Sequence, residues 1–332
     1  MENRLVGYDI IGDAHGCATK LKNLLRELGY QRDAAGVYRH PERTAVYVGD
    51  LVDRGPEQLE VLELVKAMLD AGSAKIVMGN HEFNAIAWAT TNPVTGEPLR
   101  PHTDSNRRQH KDFLEQLSEE QRAFWIDWFT SLPLWLDLGG ARVVHACWHE
   151  PSIDAVLNAT GGSGRLSTIE DLVAATTKGH PLYEAVEILL KGPEINLIDH
   201  DMVAYYDHEA KKPRTDARVR WWDHTASALP HIALLRGVKL ENGDPYPDIE
   251  SRDVDPKYLG YVYTDEVPLF YGHYWRKWDH MLDEWTTYTA CVDFSAVRGG
   301  TLGAYRWSGE PQIHLENYVP HDPTVVAPTP PD

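Results

Sequence analysis

The segment VYVGDLVDRGPE, residues 46–57, ends an apolar run on Asp50, Asp53 and Arg54, between a glycine and a Gly-Pro pair. Charges at the end of a buried strand are costly unless they are paired or hold a metal. The same arrangement occurs twice more nearby. GDAHGC places Asp13 and His15 after an apolar run, and GNHE places Asn80 and His81 after another. Two later histidines, His145 in VVHAC and His273 in YGHYW, also follow apolar runs. Imidazole, carboxylate and amide oxygen suit borderline or hard divalent cations, and there are more such donors here than one ion needs. A carboxylate such as Asp50 can bridge two ions about 3.5–4 Å apart, an arrangement that activates water and stabilises an in-line displacement. Asp53 and His81 can form an acid pair, the carboxylate orienting the imidazole, and Arg54 offers a fork for a phosphate.

The elements that must position these groups are legible at the start of the chain. Residues 6–11, 44–48 and 75–78 read as strands. Residues 19–30 read as a helix through Leu21, Leu24, Leu25 and Leu28, capped by Gly29, and 57–72 as a second helix stopped by Gly72. Strand, helix, strand, helix, strand predicts parallel βαβ units, with the ligand-type residues at the carboxyl ends of the strands, where open α/β sheets gather their sites. Residues 84–130 read as an insertion: a loop at 92–101, then a helix over 105–129 whose Phe113, Leu117, Phe124, Trp125 and Trp128 are assigned to packing. Residues 133–150 predict a hairpin about Gly139-Gly140, and 151–265 a variable cap region. The runs 287–295 and 301–307 are expected to pair antiparallel, and the Pro-rich end, 318–332, to be a disordered tail.

The 332 residues carry 50 acidic and 32 basic side chains, a net charge of −18. So acidic a chain argues against a nucleic-acid polymer as partner, because phosphate-backbone binding needs clustered Lys and Arg. Bound metals could still make a pocket locally positive. Cys17, Cys147 and Cys291 are too few and too scattered for a disulfide framework or thiolate zinc site. No signal peptide is read at the N-terminus, and no apolar run approaches the roughly 18 residues of a membrane span. The chain reads as soluble and cytoplasmic, with reduced thiols.

GDAHG, GDLVDRG and GNHE, followed by the histidines of VVHAC and YGHYW, resemble the calcineurin-like metallophosphoesterases, and within them bacterial members of the phosphoprotein phosphatase branch. The resemblance implies a four-layer α/β/β/α sandwich of two mixed sheets in a single domain over 1–317. It implies two divalent ions, manganese foremost, with iron, zinc, nickel, cobalt or magnesium as alternatives. Asp13, His15 and Asp50 would hold the first, and Asp50, Asn80, His145 and His273 the second. His81, paired with Asp53, would protonate the leaving oxygen, Arg54 would hold the phosphoryl oxygens, and a metal-bound water would attack. A second family arginine falls between the two late histidines; Arg218 is favoured over Arg220. Met78 stands where eukaryotic-type members carry arginine, and no SAPNY loop occurs, so no eukaryotic-type regulatory subunit is expected.

Three functions follow: a phosphatase of phosphoproteins or small phosphate esters, a dinucleoside polyphosphate hydrolase, and a non-catalytic metal and phosphate binder. The last is weakest, since no ligand or acid position is lost. Symmetrical dinucleoside tetraphosphatases carry glutamine at the position of His15, which favours a phosphatase or an asymmetrically cleaving enzyme. Cys17 reads as a buried small residue and not a nucleophile.

Overall fold

The computed structural model describes residues 7–207, 211–235, 237–322 and 324–325. The chain divides into two compact units, one made of the residues up to Lys191 and those from Glu266 on, the other of Gly192–Asp265.

The first unit opens as its apolar pattern dictates. β1 (Gly7–Ile11) leads into α1 (Ala18–Glu27), which buries Leu21, Leu24 and Leu25 at helical spacing and ends before Gly29, whose φ of +87° is open to glycine but strained for other residues. β2 (Arg43–Tyr47) and β3 (Ala74–Ile76) are joined by α2 (Gln58–Asp70), which buries Val61, Leu62, Val65 and Met68. β1, β2 and β3 pair in parallel. α3 (Asn80–Ala89) starts at the GNHE motif. The helix expected over 105–129 is three: α4 (Asp104–Gln109), α5 (Lys111–Gln116) and α6 (Glu119–Thr130). The breaks have local causes. His110 leaves helical geometry at φ −105° and ψ 10°, and Ser118 starts α6 with a capping box, exchanging hydrogen bonds with Gln121. Phe113, Leu117 and Trp125 are buried as expected of packing residues, whereas Phe124 is exposed.

β4 (Trp135–Asp137) and β5 (Arg142–Val144) form the expected hairpin. α7 (Glu150–Ala159), α8 (Ile169–Thr176) and α9 (Pro181–Lys191) follow, so residues 151–191 build helices of the first unit and only the later part of the expected cap region forms the second. β6 (Leu269–Tyr271) and β7 (Thr289–Cys291) pair in parallel, and β6 pairs in parallel with β5. β8 (Gly303–Trp307) pairs antiparallel with β1 and with β9 (Tyr318–Pro320). The two sheets are therefore β9-β8-β1-β2-β3 and β7-β6-β5-β4, both mixed.

Two expectations are corrected here. The runs 287–295 and 301–307 do not pair with each other. They lie in different sheets, because the chain turns between them through Ser295 (φ +58°) and Gly299 (φ +85°). The tail does not begin at 318, since Tyr318 is buried and β9 completes the first sheet; the expectation for 326–332 lies outside the described residues.

The core lies between the sheets. Ile10, Val46, Val48, Val77 and Tyr305 from the first meet Val143, Phe270, Ala290 and Val292 from the second, none more than 1% exposed. Each large apolar side chain buried there contributes about 1.5–3 kcal/mol. α1 and α2 accompany the first sheet. α9 is tied to the second where Ala146 N–H donates to the Leu189 carbonyl at 3.0 Å. This is the four-layer α/β/β/α sandwich.

The second unit pairs Glu194–Asn196 with Asp216–Arg218 and Tyr205–Asp207 with Lys212–Arg214, and buries Trp221 and Trp222 fully.

Candidate metal centre

The carboxyl ends of the strands converge. Asp13 and His15 follow β1, Asp50 follows β2, Asn80 and His81 open α3 after β3, His145 follows β5, and His273 follows β6. All seven are at most 8% exposed. Ligand atoms of His15, Asp50 and His81 lie within 4.8 Å of one another, as do those of Asp50, His145 and His273. Asp50 is common to both groups, as a bridging ligand requires. Asn80 Oδ1 lies 3.0 Å from His145 Nε2 and 2.9 Å from His273 Nδ1.

The turns that carry these residues are strained. His15, Asp50, Asp53, Arg54 and His273 all have positive φ, between +37° and +71°, a conformation costing about 1–2 kcal/mol for a non-glycine residue. Buried polar groups hold them there. The Glu82 carboxylate accepts N–H bonds from Asp50 and Leu51 at 2.8 Å and from Gly79 at 3.0 Å. Gln58 accepts the Asp53 N–H at 2.7 Å and donates to the Gly55 carbonyl. His15 and Gly16 N–H groups donate to the carbonyls of Asp50 and Leu51, locking the first two loops together.

The donor set fits cations. His15 and His145 face the carbonyls of Val52 and Val48 through Nδ1, at 2.8 and 2.7 Å. A carbonyl only accepts, so Nδ1 carries the proton in both and Nε2 is left as a lone pair, the orientation that second neighbours impose on ligating histidines. These Nε2 atoms point at further acceptors: His15 at Asp50 Oδ2, 3.5 Å away, and His145 at Asp50 Oδ1, also 3.5 Å, and at Asn80 Oδ1. Asp13 accepts the His273 N–H through Oδ2, while its buried Oδ1 has no hydrogen-bond partner among the described residues. Acceptors converging without protons between them are what a cation relieves. Burial, together with the charges of Asp293 and Asp50, pushes the Asp13 carboxyl well up. Burial, then Arg54 and His81, lowers His15 to about 3 against the pull of Asp50, keeping it neutral.

The acid pair stands beside this cluster. His81 Nδ1 donates to Asp53 Oδ2 at 2.5 Å. Burial lowers the His81 pKa, but Asp50 and Asp53 outweigh it and the net shift is upward. Burial would raise Asp53, but hydrogen bonds from His110 and His81 hold it well below the usual carboxylate range. Arg54 lies between the two sets, its guanidinium 3.2 Å from His15 Nε2 and 3.1 Å from His81 Nε2.

Three residues escaped the sequence reading. His110 reaches in from the insertion and donates from Nδ1 to Asp53 Oδ1 at 2.8 Å; no motif marks it. Glu82 belongs to GNHE, where its motif was the available signal. Asp293, after β7, accepts the N–H groups of Trp275 and Ser295, both at 2.9 Å. Arg218 and Arg220 belong to the second unit. There Arg218 ends a strand opposite Glu194, and Arg220 pairs with Asp223 at 3.3 Å.

The chain is similar to several known proteins. Residues 8–274 match the model of the calcineurin-like phosphoesterase family. The bis(5'-nucleosyl)-tetraphosphatase PrpE [asymmetrical] of Halalkalibacterium halodurans is 49% identical over 75 residues, 22% of this chain and 30% of that protein. Its namesake from Oceanobacillus iheyensis is 31% identical over 140 residues, 42% of this chain and 54% of that protein. The chain thus spans between about a third and about a half of the length of these relatives. Among solved structures, a serine/threonine phosphatase of Saccharomyces cerevisiae with similarity to human phosphatase PP5 is 15% identical at a TM-score of 0.46, covering 96% of this chain and 82% of that one. The cold-active protein-tyrosine phosphatase of a psychrophilic Shewanella is 15% identical at a TM-score of 0.41, covering 96% and 81%. With the family model matched from the first strand to the last expected ligand, the chain belongs to the calcineurin-like phosphoesterases.

Proposed function

We propose that this chain hydrolyses phosphate monoesters at a centre of two divalent ions, with Asp13, His15 and Asp50 holding one and Asp50, Asn80, His145 and His273 the other. When bound, the ions supply Lewis-acid charge and a water of lowered pKa. The chain's own groups do the rest. Arg54 turns its N–H fork from His15 and His81 to the phosphoryl oxygens. His81 then gives its Nε2 proton to the leaving oxygen as the bond to phosphorus breaks and water's oxygen forms the new one. Asp53 holds the Nδ1–H and stabilises the imidazolium, and His110 fixes the other Asp53 oxygen as a positioning residue. The observation that carries this reading is the His81–Asp53 hydrogen bond, with Arg54 in reach of His81 and the ligand cluster.

A second reading, hydrolysis of dinucleoside polyphosphates, is favoured by the name that the relatives carry. The test is to assay p-nitrophenyl phosphate, a phosphoserine peptide and diadenosine tetraphosphate side by side with manganese. Turnover of the two monoesters, abolished by chelator, is expected. Turnover of the tetraphosphate alone selects the second reading, and turnover of none overturns both.

A further inference from the structure

Arg54 is a half-buried cation that the protein leaves without a neutralising partner. Among the described residues no carboxylate forms a salt bridge with it; its N–H groups face His15 Nε2 at 3.2 Å and His81 Nε2 at 3.1 Å. The charges of Asp50, Asp293, Asp13 and Asp53 attract it from farther off. A long side chain free to follow that attraction would pair with one of them, and a paired guanidinium has fewer N–H groups to offer a phosphate. An aromatic face holds it instead. The Arg54 guanidinium carbon stands 4.3 Å from the centre of the Trp275 ring. An indole attracts a cation through its quadrupole and adds no negative charge to cancel it.

The indole is itself fixed. Trp275 has φ +49°, an outlier for a bulky residue. The buried Asp293 keeps it there: Oδ2 accepts the Trp275 N–H, while Oδ1 accepts that of Ser295 at the root of the loop bearing Arg298. The Arg298 guanidinium carbon lies 3.7 Å from the same ring centre, which restricts rotation of the indole. The Lys20 ammonium closes the Arg298 loop from α1, donating to the carbonyls of Ala296 and Gly300, both at 2.7 Å. The strain at Trp275 is thus retained by hydrogen bonds whose effect is to keep one ring against Arg54.

We propose that Trp275 is a positioning residue, holding the Arg54 guanidinium ready for a phosphoryl group while leaving its charge unpaired. The proposal rests on the phosphohydrolase reading above, in which Arg54 meets the phosphoryl oxygens, and names the residue that organises that contact in advance.

Calorimetric titration of the metal-loaded protein with inorganic phosphate, at fixed free manganese, tests it without requiring turnover. Arg54→Ala should weaken phosphate binding roughly 10–100-fold, the worth of charge-assisted hydrogen bonds. Trp275→Leu should weaken it roughly 3–30-fold, the worth of a cation–π contact in a partly desolvated site. Trp275→Phe should lose less, because the smaller ring still attracts a cation. In the double variant the loss should match that of Arg54→Ala alone to within about twofold, since Trp275 acts only through Arg54. Manganese content, measured on the same samples, should not change; if Trp275→Leu loses manganese, the same cycle run with Trp275→Phe decides in its place. Trp275→Leu weakening phosphate equally with and without Arg54, or not at all, would overturn the proposal, as would Trp275→Phe binding no better than Trp275→Leu. Unchanged affinity in Arg54→Ala overturns the phosphate role of Arg54, and that of Trp275 with it. If the binding pattern holds but no ester is hydrolysed, the positioning role stands and the hydrolytic reading falls.

Discussion

Replacing His81 by alanine separates a proton donor from a metal ligand, and the structure makes the distinction a real one. His81 Nε2 lies 3.9 Å from Asp50 Oδ2 and shares a potential ligand cluster with His15 and Asp50, yet its Nδ1 is committed to Asp53. If His81 is the general acid, its loss removes a contribution typically of 10²–10⁴-fold, about 3–5 kcal/mol of barrier. That cost should fall on a substrate whose leaving group needs the proton. A phosphoserine peptide expels an alkoxide and should slow by roughly that factor. p-Nitrophenolate leaves without a proton, so p-nitrophenyl phosphate should slow far less. Asn80→Ala is the control. Asn80 Oδ1 touches both His145 and His273, so its loss should weaken metal binding, slow both substrates alike, and respond to added metal. Rates across aryl and alkyl phosphates of graded leaving-group pKa, with metal content measured on the same samples, give the answer. A steeper dependence on leaving-group pKa in His81→Ala, at unchanged metal content, is expected. Equal slowing of all substrates together with metal loss would show that His81 is a ligand and that the acid has been misassigned.

Three further outcomes are expected. Because the folded-state pKa of Asp53 is depressed, its contribution to stability is complete above about pH 3.9 and is lost as pH falls towards the folded value; Asp53→Asn should flatten the acid limb of urea stability measured in chelator. Asp9, fully buried, accepts Arg43 Nε at 2.9 Å and the partly exposed Arg306 Nε at 3.0 Å, so Asp9→Ala should cost about 3 kcal/mol in urea unfolding by leaving the buried Arg43 cation uncompensated. Burial raises all three thiols, Cys291 to about 12, so iodoacetamide at neutral pH should modify the native chain far more slowly than the unfolded one and leave activity intact, whereas rapid labelling coupled to inactivation would restore Cys17 as a candidate nucleophile.

What could be read from the sequence was what neighbours in the chain determine. Asp50, Asp53 and Arg54 announce themselves because an apolar strand delivers three charges to its own end, and parallel βαβ units place such ends side by side. Groups defined by long-range contacts were not readable. His110 meets Asp53 across 57 positions, from an insertion whose polar residues look like any solvated helix. The last strands were misjoined because two apolar runs separated by Gly-Gly resemble a hairpin. Hydrophobic pattern does not show that Ser295 adopts a left-handed conformation and sends the chain from one sheet to the other. Residues 192–265 lack sustained helical or strand periodicity; they form short ladders and bury Trp221 and Trp222, which pattern alone cannot pair with partners.

Glu82 and Asp293 reveal how the site tolerates its own strain. Neither belongs to the proposed ligand set, yet each spends both carboxylate oxygens on backbone N–H groups of loops whose residues sit at positive φ. Glycine would reach those conformations at little cost but could not supply Asp50, Arg54 or Trp275. The chain instead keeps functional side chains at strained positions and offsets the strain with hydrogen bonds to charged acceptors, which are worth more than neutral ones. The arrangement adds negative charge to an already acidic interior. Burial, with the charge of Asp50, raises Glu82 to about 7, and burial raises Asp293 as well. The same carboxylates that fix the loops therefore make the centre electrostatically unfavourable when only protein is present. Divalent cations held by the proposed ligands would relieve that repulsion.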